Sequence, residues 1–126
     1  MDTEENTSVR KFIEHKVRDI VIRIDNHFGI TMDVDYIRNT CHIFLVLIFM
    51  DKKPRKDAIE IEKITECELR SFKKVLASTC GLTELVDIKI HKSKISRNRT
   101  VKEIDLFYKI DDKTHDSLYM LSKMII

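Results

Sequence analysis

Cysteine and histidine are the residues of this chain best suited to hold a metal ion, and their spacing argues against it. Structural zinc sites use pairs of ligands about two to four residues apart, whereas the cysteines lie at Cys41, Cys67 and Cys80. The histidines lie at positions 15, 27, 42, 91 and 115, and none has the four-residue helical spacing of a metalloprotease motif. We therefore expect no metal, two small helical thiols at Cys67 and Cys80, a buried thiol at Cys41, and solvated imidazoles at His15 and His115.

Catalytic and cofactor-binding patterns are also missing from the sequence. A phosphate-binding loop needs glycines just before a helix, but Gly29 and Gly81 each follow a helical pattern. No spacing pairs a nucleophile with a base, or two carboxylates, in a recognisable way. We expect no catalytic residues, no cofactor and no enzymatic activity.

The most distinctive charged segment runs from residue 89 to residue 102, where cations occur without an acidic residue: Lys89, Lys92, Lys94, Arg97, Arg99 and Lys102. On a projecting hairpin these cations could lie along the phosphate backbone of RNA or DNA. The alternative is cross-strand pairing, in which Lys89 lies opposite Asp105 and His91 opposite Glu103, leaving an ordinary solvated turn. A second basic turn at 52–56 is expected at the opposite end of the sheet, and neither turn has aromatic residues for stacking bases.

Apolar residues at two places are candidates for an interface with a protein partner. Phe107 alternates onto the same strand face as Glu103, Asp105 and Lys109, so it should point outward. The chain ends on Met124, Ile125 and Ile126, which must be covered either by the protein's own sheet or by a partner.

The composition indicates one folded domain spanning residues 1–126, with a short polar tail at 1–6. The 126 residues are 43% hydrophobic and include only two glycines and one proline, which is unlike a disordered or fibrous chain. A net charge of +2 does not by itself indicate a polyanion binder. The acidic N-terminus, the odd number of cysteines and a longest apolar run of eight residues predict a reducing compartment, cytoplasmic or nuclear, and no membrane association.

The hydrophobic pattern predicts five segments in the first two thirds of the chain. Apolar residues three and four apart predict a helix over 8–28, capped by Thr7 or Ser8 and ended by Gly29. A short helical turn is expected at 33–37. The aperiodic run 42–50 is rich in β-branched and aromatic residues, which favours a strand over the alternative of one helix across 34–50. Alternation over 58–64 predicts a second strand, and the capping box at Thr65 starts a helix that ends before Gly81.

Alternation over 86–90 and 104–110 predicts a hairpin that turns near 96–100, and Asp111 or Asp112 should cap a final helix. The order helix-β-β-helix-β-β-helix predicts an α+β two-layer sandwich with a mainly antiparallel four-stranded sheet. The first hypothesis for function is a small non-enzymatic interaction module or assembly subunit that binds a protein partner or its own copy as a homodimer. The alternative is a nucleic-acid-binding protein that uses the basic hairpin 89–102.

Overall fold

The computed structural model describes residues 3–21, 28–50, 58–96 and 99–124. Over these residues the chain forms three helices and an antiparallel sheet of five strands, an α+β fold. In chain order the elements are α1 (Glu4–Val21), β1 (Phe28–Ile37), β2 (Thr40–Met50), α2 (Ala58–Cys80), β3 (Leu85–Ile90), β4 (Lys94–Ser96), β5 (Arg99–Lys109) and α3 (Asp112–Met124). Within the described segments, no helix is both long enough and apolar enough to cross a bilayer.

The apolar run 42–50 is extended, as its β-branched composition predicts, and the alternative helix over 34–50 is wrong. The sheet order is β1-β2-β5-β3, with the short β4 also paired to β5. Strand β2 therefore has a hydrogen-bonded neighbour on both sides, so its backbone donors and acceptors are satisfied in the middle of the sheet. Its alternate residues Cys41, Ile43, Leu45, Leu47 and Phe49 are buried in the core.

The partner of β2 in the first hairpin differs from the prediction. Residues 33–37 are not a helical turn but the end of β1, which pairs with β2 from Phe28↔Phe49 to Ile37↔Thr40. Asn39 lies in the two-residue turn with a φ of 74°, a conformation that asparagine tolerates better than most residues. The sequence did contain the signal, since Ile30, Met32, Val34 and Tyr36 alternate with polar residues.

Residues 58–64 are helical, so the predicted second strand is wrong. Helix α2 begins at Ala58, and Thr65 is a buried residue of its interior rather than its N-cap. Spacings of three and four join Thr65 to the buried residues Leu69, Phe72, Leu76 and Cys80, and this period outweighs the short alternation before it. The end of α2 is as predicted, because Gly81 adopts a φ of +65° and its amide donates to the Ala77 carbonyl.

The two outer helices also differ in detail from the prediction. Helix α1 starts at Glu4, with the Asn6 amide donating to Thr3 Oγ1 at 3.1 Å, so residues 4–6 are helical and the cap is neither Thr7 nor Ser8. The predicted continuation of α1 over 22–27 lies outside the described residues, but the predicted helix end is wrong, because Phe28 and Gly29 are the first two residues of β1. Helix α3 is capped as expected, since the Thr114 amide donates to Asp111 Oδ1 at 2.7 Å.

The helices form one layer on one face of the sheet. Val9, Ile13 and Val17 of α1 belong to the same core cluster as Phe72 of α2, Leu118 of α3 and the buried residues of the sheet. This helix-covered surface is called the inner face below, and the opposite surface of the sheet is called the outer face. The result is the predicted two-layer arrangement. Its first hairpin is formed by β1 and β2, whereas the prediction paired the run 42–50 with a strand at 58–64.

Candidate interaction surface

The hairpin formed by β3 and β5 has the register that the cross-strand interpretation required. Ile88 pairs with Leu106, Lys89 with Asp105 and Ile90 with Ile104, and the His91 amide donates to the Glu103 carbonyl at 3.0 Å. Positions 89, 103, 105 and 107 therefore share the outer face, and positions 104 and 106 share the inner face.

This register separates the six cations of the basic segment. Lys102 is only 5% exposed on the inner face, where its ammonium donates to Glu62 Oε1 of α2 at 3.0 Å. Lys94 is exposed and pairs with Glu103 at 3.0 Å. Lys92 and Arg99 are exposed, and Arg97 lies outside the described residues. The segment is therefore not one continuous cationic ribbon, because Lys102 faces inward and Lys94 is paired, although Lys89, Lys94 and Arg99 share the outer face.

The chain leaves β2 at the same end of the sheet at which it enters β5, so the reasoning that separated the two basic segments is wrong, although residues 52–56 themselves lie outside the described residues. Met50, the last residue of β2, pairs with Arg99, the first residue of β5. The opposite placement depended on a strand at 58–64. Because that segment belongs to α2, the helix returns the chain to the start of β2, and β3 then runs in the same direction as β2.

The outer face carries a band of apolar side chains along the two central strands. Its members are partly buried but are not packed against the core: Phe44, Val46 and Ile48 of β2, and Val101 and Phe107 of β5. Ile37 and Val86 extend the apolar surface, with 62% and 58% of their areas exposed. We call these seven residues the outer apolar band. Among the residues that the structure describes, all three helices contribute to the core on the other side.

Charged residues flank the outer apolar band with opposite signs. The strand pairings place Asp33, Phe44, Asp105 and Lys89 in one row across β1, β2, β5 and β3. Asp35 follows Asp33 on the β1 side, and Lys94 lies on the other side beside Val101. The outer face is thus acidic at its β1 edge, whereas its β3–β4 edge carries the two cations Lys89 and Lys94 and one acid, Asp87, which pairs with Phe107.

Two histidines share one carboxylate near the middle of this face. His42 Nε2 lies 2.6 Å from Asp105 Oδ1, and His91 Nε2 lies 2.6 Å from Asp105 Oδ2. Each imidazole donates, so each carries a proton on Nε2. Desolvation opposes ionisation of Asp105, but the hydrogen bonds from His91 and His42 outweigh it and hold the pKa of this carboxyl below its ordinary value. The His42 ring also stacks on Phe107, with ring centroids 4.5 Å apart.

The C-terminal helix exposes a second apolar surface. Met120, Leu121 and Met124 are 61%, 42% and 77% exposed, so this part of α3 is not covered by the protein's own sheet. Ile125 and Ile126, the other residues expected at this interface, lie outside the described residues.

A polar cluster inside the helical layer was missed at the level of sequence. His115 was expected to be solvated, but it is fully buried, and its Nδ1 lies 2.6 Å from the Tyr36 hydroxyl. Burial raises the pKa of Tyr36, which keeps this hydroxyl protonated. The other imidazole nitrogen faces Glu5 of α1 at 3.6 Å. Only the packing of α1 and α3 against β1 brings these residues together, so no local pattern could have identified them.

The three cysteines are free and differ in burial. Cys41 and Cys80 are buried, whereas Cys67 is exposed on α2. Burial, with smaller contributions from Cys80 and Asp35, raises the pKa of the Cys41 thiol to about 12. A thiol with this pKa is protonated and unreactive at neutral pH.

Comparison with known proteins assigns no family to this fold. No protein-family model matches the chain, and a search of curated proteins finds no match. The function is therefore argued from the geometry alone.

Proposed function

We propose that this protein is a non-enzymatic interaction module that self-associates through the outer face of its sheet. The observation that carries the proposal is the outer apolar band, which lies on the face opposite the helices and apart from the core. Antiparallel sheets with one solvated face normally present polar side chains there. An apolar band in that position is typical of a surface that packs against another protein.

The charges at the two edges of the face favour a second copy of the chain as the partner. A two-fold axis parallel to the strands turns one outer face over onto the other and reverses the strand order. The β1 edge of each copy, with Asp33 and Asp35, then lies over the β3–β4 edge of the other, where Lys89 and Lys94 outnumber Asp87. The row of Asp35 brings it opposite Asp87, an acidic contact that opposes the attraction in the neighbouring row. In the row that contains Phe44, this operation places Asp33 opposite the Lys89 of the second copy, and it does so twice.

The central carboxylate does not oppose this packing. Both oxygens of Asp105 already accept hydrogen bonds within the monomer, from His42 and His91. A polar group that has its partners before association loses less on desolvation than an unpaired one. Phe107 is likewise held in place before association by its stacking on His42, which reduces the entropy lost on binding.

The size of the face predicts a weak dimer. Four strands about 4.8 Å apart and about ten residues long at about 3.4 Å per residue give on the order of 600 Å² per copy. The total is close to the lower bound of specific interfaces, about 1,200 Å². We therefore expect a dissociation constant in the micromolar range and a dimer that forms and separates with protein concentration.

Sedimentation velocity over a wide range of concentration tests the proposal. The wild-type protein should shift from monomer to dimer, and Val46→Glu should remain monomeric because it places a charge in the centre of the outer apolar band. The matched control is Met124→Glu, which places the same charge on the exposed surface of α3 and should dimerise normally. A wild-type protein that stays monomeric up to about millimolar concentration, or equal effects of the two variants, would contradict the proposal.

The cysteines support a reducing location, which we propose is the cytoplasm or the nucleus. Cys41, Cys67 and Cys80 are all free, as in proteins kept reduced inside cells.

Nucleic-acid binding remains the second candidate, and one observation favours it. Arg99 and Lys92 are exposed, and Arg99 pairs with Met50, two residues before the basic segment 52–56. Exposed cations at this end of the sheet could contact phosphates. The burial of Lys102 and the pairing of Lys94 reduce the number of free charges, so we place this candidate second.

A further inference from the structure

We propose that the first turns of α1 and α3 form a binding site for a divalent transition-metal ion, of which Zn²⁺ fits best. The ligands are the imidazole of His115 and the carboxylates of Glu5 and Asp116. One ligand atom from each residue lies within 4.8 Å of the other two.

The buried imidazole is the observation that distinguishes this cluster from an ordinary group of acidic residues. The His115 side chain is 1% exposed, and its Nε2 has no hydrogen-bond partner among the described residues. A buried polar atom without a partner costs about 1–3 kcal/mol. A metal ion bound at Nε2 would remove this cost.

The second nitrogen of the ring is already held as in a metal-binding histidine. His115 Nδ1 lies 2.6 Å from the Tyr36 hydroxyl. When Nδ1 carries the ring proton, it donates to the Tyr36 oxygen, and the lone pair of Nε2 points toward Glu5. Metal-bound histidines commonly donate their other ring N–H in this way, which fixes the tautomer and the ring orientation.

The distances within the cluster suit a small ion. Zinc–nitrogen and zinc–oxygen bonds of about 2.1 Å at tetrahedral angles separate neighbouring ligand atoms by about 3.4 Å. His115 Nε2 and Glu5 Oε1 are 3.6 Å apart, close to this value without any movement. Asp116 is exposed at the first turn of α3, so its carboxylate is free to turn toward the ion, and water would supply the fourth ligand.

Donor chemistry selects the class of metal. One imidazole and two carboxylates suit zinc and its neighbours in the first transition row, whereas calcium and magnesium prefer oxygen ligands alone. Bound metal would connect α1 to α3, two helices that already pack against each other, and would stabilise the folded chain by linkage.

Isothermal titration calorimetry of the reduced protein with ZnCl₂ tests the site. We expect one site, and we expect Glu5→Gln and Asp116→Asn each to weaken zinc affinity by at least about 10-fold. Glu5 is half-buried and Asp116 is exposed, and the amide variants keep the shape of each side chain, so both variants should fold. Glu4→Gln is the matched control, because Glu4 is an exposed carboxylate in the same turn of α1, and its affinity should equal that of the wild type.

Two further measurements separate this site from other ligands in the chain. Co²⁺ bound at the proposed site should show visible absorption without a thiolate charge-transfer band, since no cysteine takes part. At a fixed zinc concentration, zinc should raise the thermal unfolding midpoint of the wild type and of His91→Gln equally, and that of Asp116→Asn by less. The proposal is overturned by an absence of zinc binding, by a thiolate band, by loss of binding in His91→Gln, or by unchanged affinity in the Glu5 and Asp116 variants.

Discussion

The pairing of Asp33 with the Lys89 of a second copy can be tested by exchanging the two charges. Both residues are exposed on the outer face and lie in the same row of the sheet. Asp33→Lys would place two lysines in contact at each end of the row, and Lys89→Asp would place two aspartates there. The double variant restores opposite charges with the order reversed, so it should dimerise more tightly than either single variant.

The two-fold symmetry sets the size of the effect. An exposed ion pair contributes about 0.2–1 kcal/mol, and reversing one charge replaces this attraction by a repulsion of similar size. Because the contact occurs twice, each single variant should lose about 2 kcal/mol of association free energy, or about 30-fold in the dimer dissociation constant. The loss should be smaller at high salt, since the Debye length is only about 3 Å at 1 M.

Sedimentation equilibrium of the wild type, both single variants and the double variant measures these constants. Circular dichroism should show that all four chains fold alike. Lys89→Asp also removes the contact of the Lys89 ammonium with the Phe107 ring, 5.6 Å from its centroid, so the unfolding free energy of each monomer is measured in parallel. A double variant that is no better than the sum of the two single variants would refute the two-fold arrangement.

Three further predictions concern the fold, the carboxylate cluster and the alternative function. Gly81→Ala should lower the unfolding free energy by about 1–2 kcal/mol in a urea titration, because a φ of +65° is strained for a residue with a Cβ. The nearest atom to the added methyl group is Thr114 Cγ2 at 3.6 Å, which leaves enough room. A larger loss would indicate a clash instead of backbone strain. The pKa of Asp105 is lowered on folding from its ordinary 3.8, so its charge stabilises the fold above that pH, and this contribution is lost as the pH falls through the folded-state pKa. Asp105→Asn should therefore have a lower unfolding free energy than the wild type at pH 7, and the difference should shrink below pH 3.8. A difference that does not change with pH would contradict this. In a low-salt gel-shift assay with RNA and DNA, Arg99→Glu should abolish binding. Lys102→Met should retain it, because the Lys102 side chain is buried and hydrogen-bonded to Glu62. An absence of binding by the wild type would reject the second candidate function.

Local patterns were sufficient where the composition of a segment is distinctive or where one residue marks the end of a helix. The strand over 42–50 follows from its β-branched and aromatic residues, and Gly81 and Asp111 define helix ends through their own backbone chemistry. The register of β3 on β5 follows from alternation. The inward position of Lys102 was missed, although position 102 has the same parity as Ile104 and Leu106. The error at 58–64 arose because a few isoleucines alternate there, and four or five residues fit both a strand and the first turn of a helix.

The candidate interaction surface was predictable only in part. Phe107 could be placed on the outer face because polar residues alternate with apolar ones along β5. Phe44, Val46 and Ile48 could not, because the run 42–50 is apolar at every position, and composition cannot tell which face the helices cover.

The sequence by itself determined the fold class, the central strand, the register of its second hairpin, the end of α2 and the start of α3, because each of these depends on local pattern and residue chemistry. Tertiary structure alone decided which face of the sheet is left apolar and open, that β2 ends beside the start of β5, and that His115 is buried beside Glu5 and Tyr36. These features join residues that are 31 to 110 positions apart, as in the pairs of Tyr36 with Glu5 and of His115 with Glu5. Their proximity is set by how the helical layer packs on the sheet, which no local period encodes.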